Sequence, residues 1–195
     1  IKVERPGAGD DTRGWGPPYV KGADGRDTIE TTYFAGTNRG KKSVTVDITR
    51  TEGQELLRKL AARCDVFIEN FKTGTMKRYG LGYEQLNKVR ADIVYCSVTG
   101  FGQTGPYAAR PGYDPIAQAL SGLMSVTGEP EAMTGTVPQR VGVAVIDLMT
   151  AHYAVIAISA ALYHRQATGK GQSIDLSLLD VGVASMANIA SAYLG

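Results

Sequence analysis

What most constrains this chain is its alternation of short β-rich runs with longer helical ones. Ser43–Asp47 alternates like a strand, and after Thr51 the segment Glu55–Cys64 sets Leu56, Leu60 and Cys64 on one helical face. Asp65–Glu69 reads as a strand ending in the polar turn Asn70-Phe-Lys-Thr-Gly74. A short helix is predicted over Tyr83–Val89, then a strand over Ile93–Val98 and a helix-compatible stretch over Asp114–Met124. Asp147–Arg165 reads as a long apolar helix, Ser173–Leu176 as a short strand, and Leu178–Leu194 as another apolar helix. Strands separated by helices of this size predict βαβ units, hence an α/β fold with a mostly parallel sheet. Gly14–Thr32 carries Gly, Pro and Asp without periodicity and is expected to be a long loop.

At 195 residues the chain fits one domain, on a scale of roughly 150 residues each. Apolar residues at 43% and charged residues at 21% are an ordinary globular mix. The net charge is +2 with the basic residues dispersed, which argues against a nucleic-acid partner. Glycine, with 24 residues, is well above a typical share and implies tight turns and close backbone approaches. Cys64 and Cys96 show no CxxC spacing and read as reduced thiols, which suits the cytoplasm. No stretch reads as a signal peptide. The longest uncharged apolar run, Leu148–Tyr163, is shorter than the ~20 residues of a spanning helix, so a buried helix and no membrane are expected. Ile1-Lys-Val-Glu4 reads as the inside of a strand and Ser191–Gly195 as an unfinished helix, so both ends look cut.

Three features invite a chemical reading. Gly100-Phe-Gly-Gln-Thr-Gly105 matches G-x-G-x-x-G after a predicted strand, but Pro106 and Pro111-Gly112 leave no helix to receive a pyrophosphate. It reads instead as a loop at a strand's carboxyl end, where open α/β sheets bind ligands. Lys72, Lys77 and Arg78 gather beside a strand-end turn, which suits either phosphate or plain solvation. Asp147 is the sole formal charge between Val141 and Tyr163. It fits a helix N-cap, and equally a carboxylate in apolar surroundings, kept ionised by the helix dipole and usable as a nucleophile. The plain cap is the reading that the residues alone favour. His152 and His164 lack partners at metal-ligand spacing, so no metal is expected, and Ser97 and Ser121 lack a nucleophile elbow.

Several blocks then resemble one family. Ile1–Arg13, Asn38–Ser43, Ile68-Glu-Asn-Phe71, Gly100–Pro106, Pro111-Gly-Tyr-Asp114, Ser121–Met124 and Thr168-Gly-Lys-Gly-Gln172 occur in this order, as in the class III coenzyme A-transferases. The Glu4–Arg13 and Gly102–Pro106 blocks look most like members that move CoA between dicarboxylic acids. The resemblance implies a Rossmann-like large domain of a protein about twice this length, forming an interlocked homodimer. Residues 1–195 would be part of that domain, without the small domain and the returning C-terminal segment. It implies acyl-CoA and a small carboxylic acid as substrates and no permanently bound cofactor. It places the nucleophile at Asp147, which would form an acyl anhydride and then an aspartyl-CoA thioester. CoA contacts would fall on Arg5, on Val46, Asp47, Ile48 and Thr49, on Asn70, Phe71 and Lys72, and on Arg78. Tyr113 and Asp114 would line the active site. Thr49 stands where some members carry lysine, and Asp114 where some carry glutamate.

Two rivals remain. The α-methylacyl-CoA racemases pair the corresponding aspartate with a histidine as second base, whereas the block here reads Gly112-Tyr113-Asp114. A non-catalytic nucleotide-binding module would explain the alternation but not the ordered blocks.

Overall fold

In the computed structural model, which describes residues 1–129, 135 and 137–195, the chain forms two compact units, Ile1–Leu57 and Arg58–Gly195. In the first, β1 (Lys2–Glu4) pairs in parallel with β4 (Ser43–Thr45). Glu4 is buried, and its carboxylate accepts from Arg13 at 2.8 and 3.0 Å, from Ser43 Oγ and from the Asp10 amide. The Arg13 hydrogen bond is the main reason that Glu4 stays ionised well below the usual carboxylate range. The N-terminal block is thus tied to the β1–β4 pair by a buried charge with every partner in place.

The expected loop over Gly14–Thr32 is not one. It contains β2 (Tyr19–Lys21) and β3 (Asp27–Thr31), an antiparallel hairpin running into α1 (Thr32–Thr37). The strands are short and mostly solvent-facing, so no apolar alternation announces them. Turn chemistry closes the hairpin instead: the Gly22 amide donates to the Arg26 carbonyl, and Asp24 accepts from the Arg26 amide.

Helix α2 spans Thr51–Ala61. Its buried residues are Leu57 and Ala61, while Leu56 is 52% exposed, so the expected Leu56 face is one residue out. The Leu56-Leu57 doublet makes both registers look amphipathic, and packing selects between them.

In the second unit, β5 (Val66–Glu69), β6 (Val94–Thr99) and β7 (Gln172–Ser177) form a parallel sheet in the order β5-β6-β7. Val94, Tyr95 and Cys96 on the middle strand are all buried, as expected where helices cover both faces. On one face Tyr95 stacks on Phe67 and meets Tyr83 of α4 (Tyr83–Val89) edge-on; the short α3 (Thr75–Arg78) precedes α4. On the other, Val98 packs on a cluster of Ala117, Ile146 and Leu178. These come from α5 (Asp114–Leu120), α6 (Val145–Thr168) and α7 (Leu178–Ser185).

Two expected helices are interrupted. Asp114–Met124 breaks after α5 at Gly122, whose φ of 87° ends a right-handed helix. Leu178–Leu194 divides at Met186 into α7 and α8 (Ala187–Leu194). The expectation of a buried helix at Leu148–Tyr163 also needs correction. In α6 only Ile146, Thr150, Ala154 and Ala161 are buried, a single stripe, while Leu148, Val155, Ile156 and Tyr163 are exposed. At 24 residues α6 is long and apolar enough, by length and composition, to cross a membrane, although its buried stripe packs on β6, β7, α5 and α7. At its C-terminal end Arg165 joins Arg90, Asp65 and Asp92 in a cluster of ion pairs.

Candidate active site

The carboxyl ends of β5, β6 and β7 gather the polar groups of the second unit. Register places Glu69, Ser97 and Asp175 opposite one another in a row across the sheet. Glu69 and Ser97 are buried. Glu69 accepts from Ser97 Oγ and, at 2.8 Å, from the Phe71 amide, which shapes the turn carrying Asn70, Phe71 and Lys72. Burial raises the Glu69 carboxyl above its ordinary range, with its hydrogen bonds opposing. Gln103 reaches back from the glycine-rich loop to Ser97 Oγ at 2.7 Å, and its amide donates to Asp175.

The loop's first glycine then explains part of the glycine excess. A Cβ on Gly100 would stand 2.4 Å from the Gly112 Cα, so these two backbones meet with no room for a side chain. This contact brings Gly112, and with it Tyr113 and Asp114, against the end of β6.

Tyr113 and Asp114 part company here. Tyr113 is 73% exposed, whereas Asp114 is buried with both oxygens engaged. Asp114 Oδ1 accepts from the amides of Ile146 and Asp147 at 2.7 and 3.1 Å, and Oδ2 accepts from Gln118. Asp114 therefore caps α6 from another helix. The helix's own preceding residue is Ala144, which offers no side-chain cap, and Asp147 is the third helical residue. The N-cap reading of Asp147 is thus overturned, because the first-turn amides are already satisfied by Asp114.

Asp147 is solvent-accessible, and among the described residues its carboxylate has no hydrogen-bond or ion-pair partner. Desolvation first, and the Asp114 charge second, raise its carboxyl above the ordinary range. The sequence suggested a carboxyl held low by the helix dipole; the direction here is the opposite, set by loss of water and a like charge.

The remaining expected contacts are spread over both units. In the strand-end turn, Asn70 and Lys72 are exposed and Phe71 is 44% exposed. Lys77 approaches Glu84 at 3.9 Å, while Arg78 lies against the Tyr79 ring and donates to its hydroxyl. Among the described residues, Lys72 and Arg78 have no carboxylate partner. In the first unit Arg5 is exposed and donates to Asp11 and the Gly9 carbonyl. Val46 is buried, so only its backbone is available to a ligand. Asp47 accepts from the amide and hydroxyl of Thr49, which lower its carboxyl below the ordinary range. The Ile48 carbonyl accepts from Gln54. Asp47 also lines a hollow of about 310 Å³ with Arg50, Glu52 and Gly53.

Glu69, Gln103, Asp175 and Gln118 went unassigned in the sequence. The only signal for Gln118 is a polar residue within Ile116-Ala-Gln-Ala-Leu120, a pattern that helices often place on a wet face. Among the described residues no cluster of His, Cys, Asp and Glu could hold a metal ion.

A parallel α/β sheet with polar strand-end loops, beside a helix whose first turn carries a carboxylate without a partner among the described residues, is the arrangement in which open α/β folds bind ligands at the sheet's carboxyl edge. The sequence model of CoA-transferase family III matches residues 1–195, and the chain belongs to that family. It is 51% identical to the succinate–glutarate CoA-transferase of Agrobacterium fabrum, over all of this chain and 47% of that protein. It is 50% identical to the succinyl-CoA:glutarate CoA-transferase of Homo sapiens, over all of this chain and 42% of that protein. A CAIB/BAIF family protein from Brucella suis superposes with a TM-score of 0.91 at 50% identity, covering all of this chain and 49% of that one. The chain thus spans about half the length of the relatives it matches.

Proposed function

We propose that the protein carrying this chain transfers CoA from an acyl-CoA to a free dicarboxylic acid, with Asp147 as the nucleophile. The observation that supports this most directly is the accessible Asp147 carboxylate, without a partner among the described residues, whose backbone is held by a buried Asp114. A carboxylate stripped of part of its water is a better nucleophile, provided that it is ionised.

Its oxygen attacks the thioester carbonyl and expels CoA thiolate, leaving a mixed anhydride. The thiolate then attacks the aspartyl carbonyl of that anhydride, releasing the first acid as its carboxylate and leaving an aspartyl-CoA thioester. The incoming carboxylate attacks this thioester and frees the thiolate again. Attack of the thiolate on the new acyl carbonyl yields the new acyl-CoA and restores Asp147. No electrons are exchanged, so the scheme calls for no resident cofactor.

Lys72 and Arg78, which lack carboxylate partners among the described residues, supply cations for the CoA phosphates. The exposed groups of Asn70 and Phe71 continue the CoA path within the second unit. Tyr113 faces the acyl group. Relatives named for succinate and glutarate favour dicarboxylates, and two free cysteines suit the cytoplasm. An interlocked homodimer completes the assembly. Tyrosine at position 113 favours transfer over racemisation, which needs a second base beside the aspartate.

The test is made on the full-length protein with succinyl-CoA and glutarate. Asp147→Asn abolishes transfer, and hydroxylamine treatment of the wild type during turnover leaves a modified Asp147 in its peptide map. Full activity in Asp147→Asn would refute the assignment. Arg78→Ala raises the KM for succinyl-CoA about ten-fold, as loss of a charge-assisted phosphate contact predicts; an unchanged KM would remove Arg78 from the CoA path.

A further inference from the structure

We propose that Gln118 is a positioning residue for the Asp147 carboxylate, locking the segment that enters α6 and the Asp114 side chain that caps it into one unit. This deepens the reading of Asp147 as nucleophile and rests on it.

Gln118 is completely buried on α5, and its amide is used at both ends. Nε2 donates to Asp114 Oδ2 at 2.5 Å and to the Val143 carbonyl at 3.4 Å, while Oε1 accepts from the Val141 amide at 2.8 Å. Asp114 carries the constraint onward through the amides of Ile146 and Asp147. One side chain therefore fixes both the approach to the helix, at residues 141 and 143, and its first turn. The donor–acceptor order also fixes the amide's orientation, because turning it over would set NH₂ against the Val141 amide and oxygen against Asp114. No hydrogen bond joins Gln118 to the Asp147 side chain. It acts through Asp114 and the backbone, and so determines where the carboxylate stands rather than what it does. Placement at this level matters, since a nucleophile displaced by about 1 Å can lose roughly a hundred-fold in rate.

Two variants of the full-length protein test this with succinyl-CoA and glutarate. Gln118→Leu removes all three links, and is expected to lower kcat at least about ten-fold with the KM for succinyl-CoA held within about two-fold. Gln118→Glu keeps the reach, but the introduced carboxyl must carry a proton to donate to Asp114. Asp114 is the charged group facing both that carboxyl and Asp147 among the described residues. The kcat of Gln118→Glu relative to wild type is therefore expected to be near one at about pH 6 and to fall as pH rises to about 8, because a buried carboxyl beside a like charge holds its proton into this range. Because ionising a buried carboxyl also lowers stability, kcat is referred to the folded fraction measured at each pH, and on that basis a structural role alone gives a ratio independent of pH. An unchanged kcat in a folded Gln118→Leu, or a flat ratio for Gln118→Glu, overturns the proposal; if the leucine variant does not fold, the pH profile of the glutamate variant decides. Activity retained in Asp147→Asn would instead remove the nucleophile reading, whereas a flat ratio with Asp147→Asn inactive removes only the role of Gln118.

Discussion

Replacing Asp114 by asparagine separates its two contributions, as a cap and as a charge. In the wild type Oδ1 receives two amides from the first turn of α6 and Oδ2 receives the Gln118 amide. Asparagine can keep one oxygen over the helix amides, but its NH₂ then faces the NH₂ of Gln118. Reversing Gln118 only moves the mismatch to Val141, whose amide needs the Gln118 oxygen. One buried donor–donor contact is thus unavoidable. Loss of a hydrogen bond to a charged group costs about 1.5–3 kcal/mol, and the amides bound by a neutral oxygen are held less strongly, so the expected destabilisation is about 2–3 kcal/mol. Urea unfolding of the two full-length proteins at neutral pH measures it. The charge has a separate signature. Asp114 is one of the two causes that raise the Asp147 carboxyl, so its neutralisation lowers that carboxyl towards its ordinary range. Asp147 then stays ionised to lower pH, and the acid limb of kcat/KM moves down the pH scale in whatever activity remains. An acid limb that stays in place or moves up would refute the electrostatic part; a stability loss below about 0.5 kcal/mol would refute the cap, being the scale of an ordinary surface substitution.

Glu69 offers a test with the sign of its own shift. Its carboxyl is raised on folding, so the folded state holds a proton that the unfolded state releases, and stability is lost as pH rises from the ordinary glutamate value through the raised one. Relative to wild type, Glu69→Gln is therefore expected to gain stability as pH rises above the ordinary glutamate value, read from urea midpoints; a constant difference would remove burial as the dominant effect. Gly100→Ala forces a methyl group against the Gly112 backbone, and is expected to cost about 1–3 kcal/mol while displacing the glycine-rich loop. A variant with wild-type stability and kinetics would show that this backbone contact is not required.

The sequence by itself determined the order and type of the parallel elements. Buried strands such as Val94–Thr99 are apolar because both sheet faces are covered, and helices such as Tyr83–Val89 carry their own local signals. The ordered motif blocks also carried the family and singled out Asp147, a lone charge in an apolar run. Where two patterns were equally periodic, as at Leu56-Leu57, or where strands were short and solvated, as at Tyr19–Lys21 and Asp27–Thr31, local sequence could not choose. The tertiary structure alone decided the site's wiring. Asp114 and Asp147 are 33 residues apart, and Gln118 and Val141 are 23 apart; no periodicity links them, because each bond depends on where α5 and the start of α6 come to rest. For the same reason Asp147 was legible as an unusual carboxylate while its cap was not. A residue's type is local, but the partner that satisfies a helix end can come from anywhere the fold brings close.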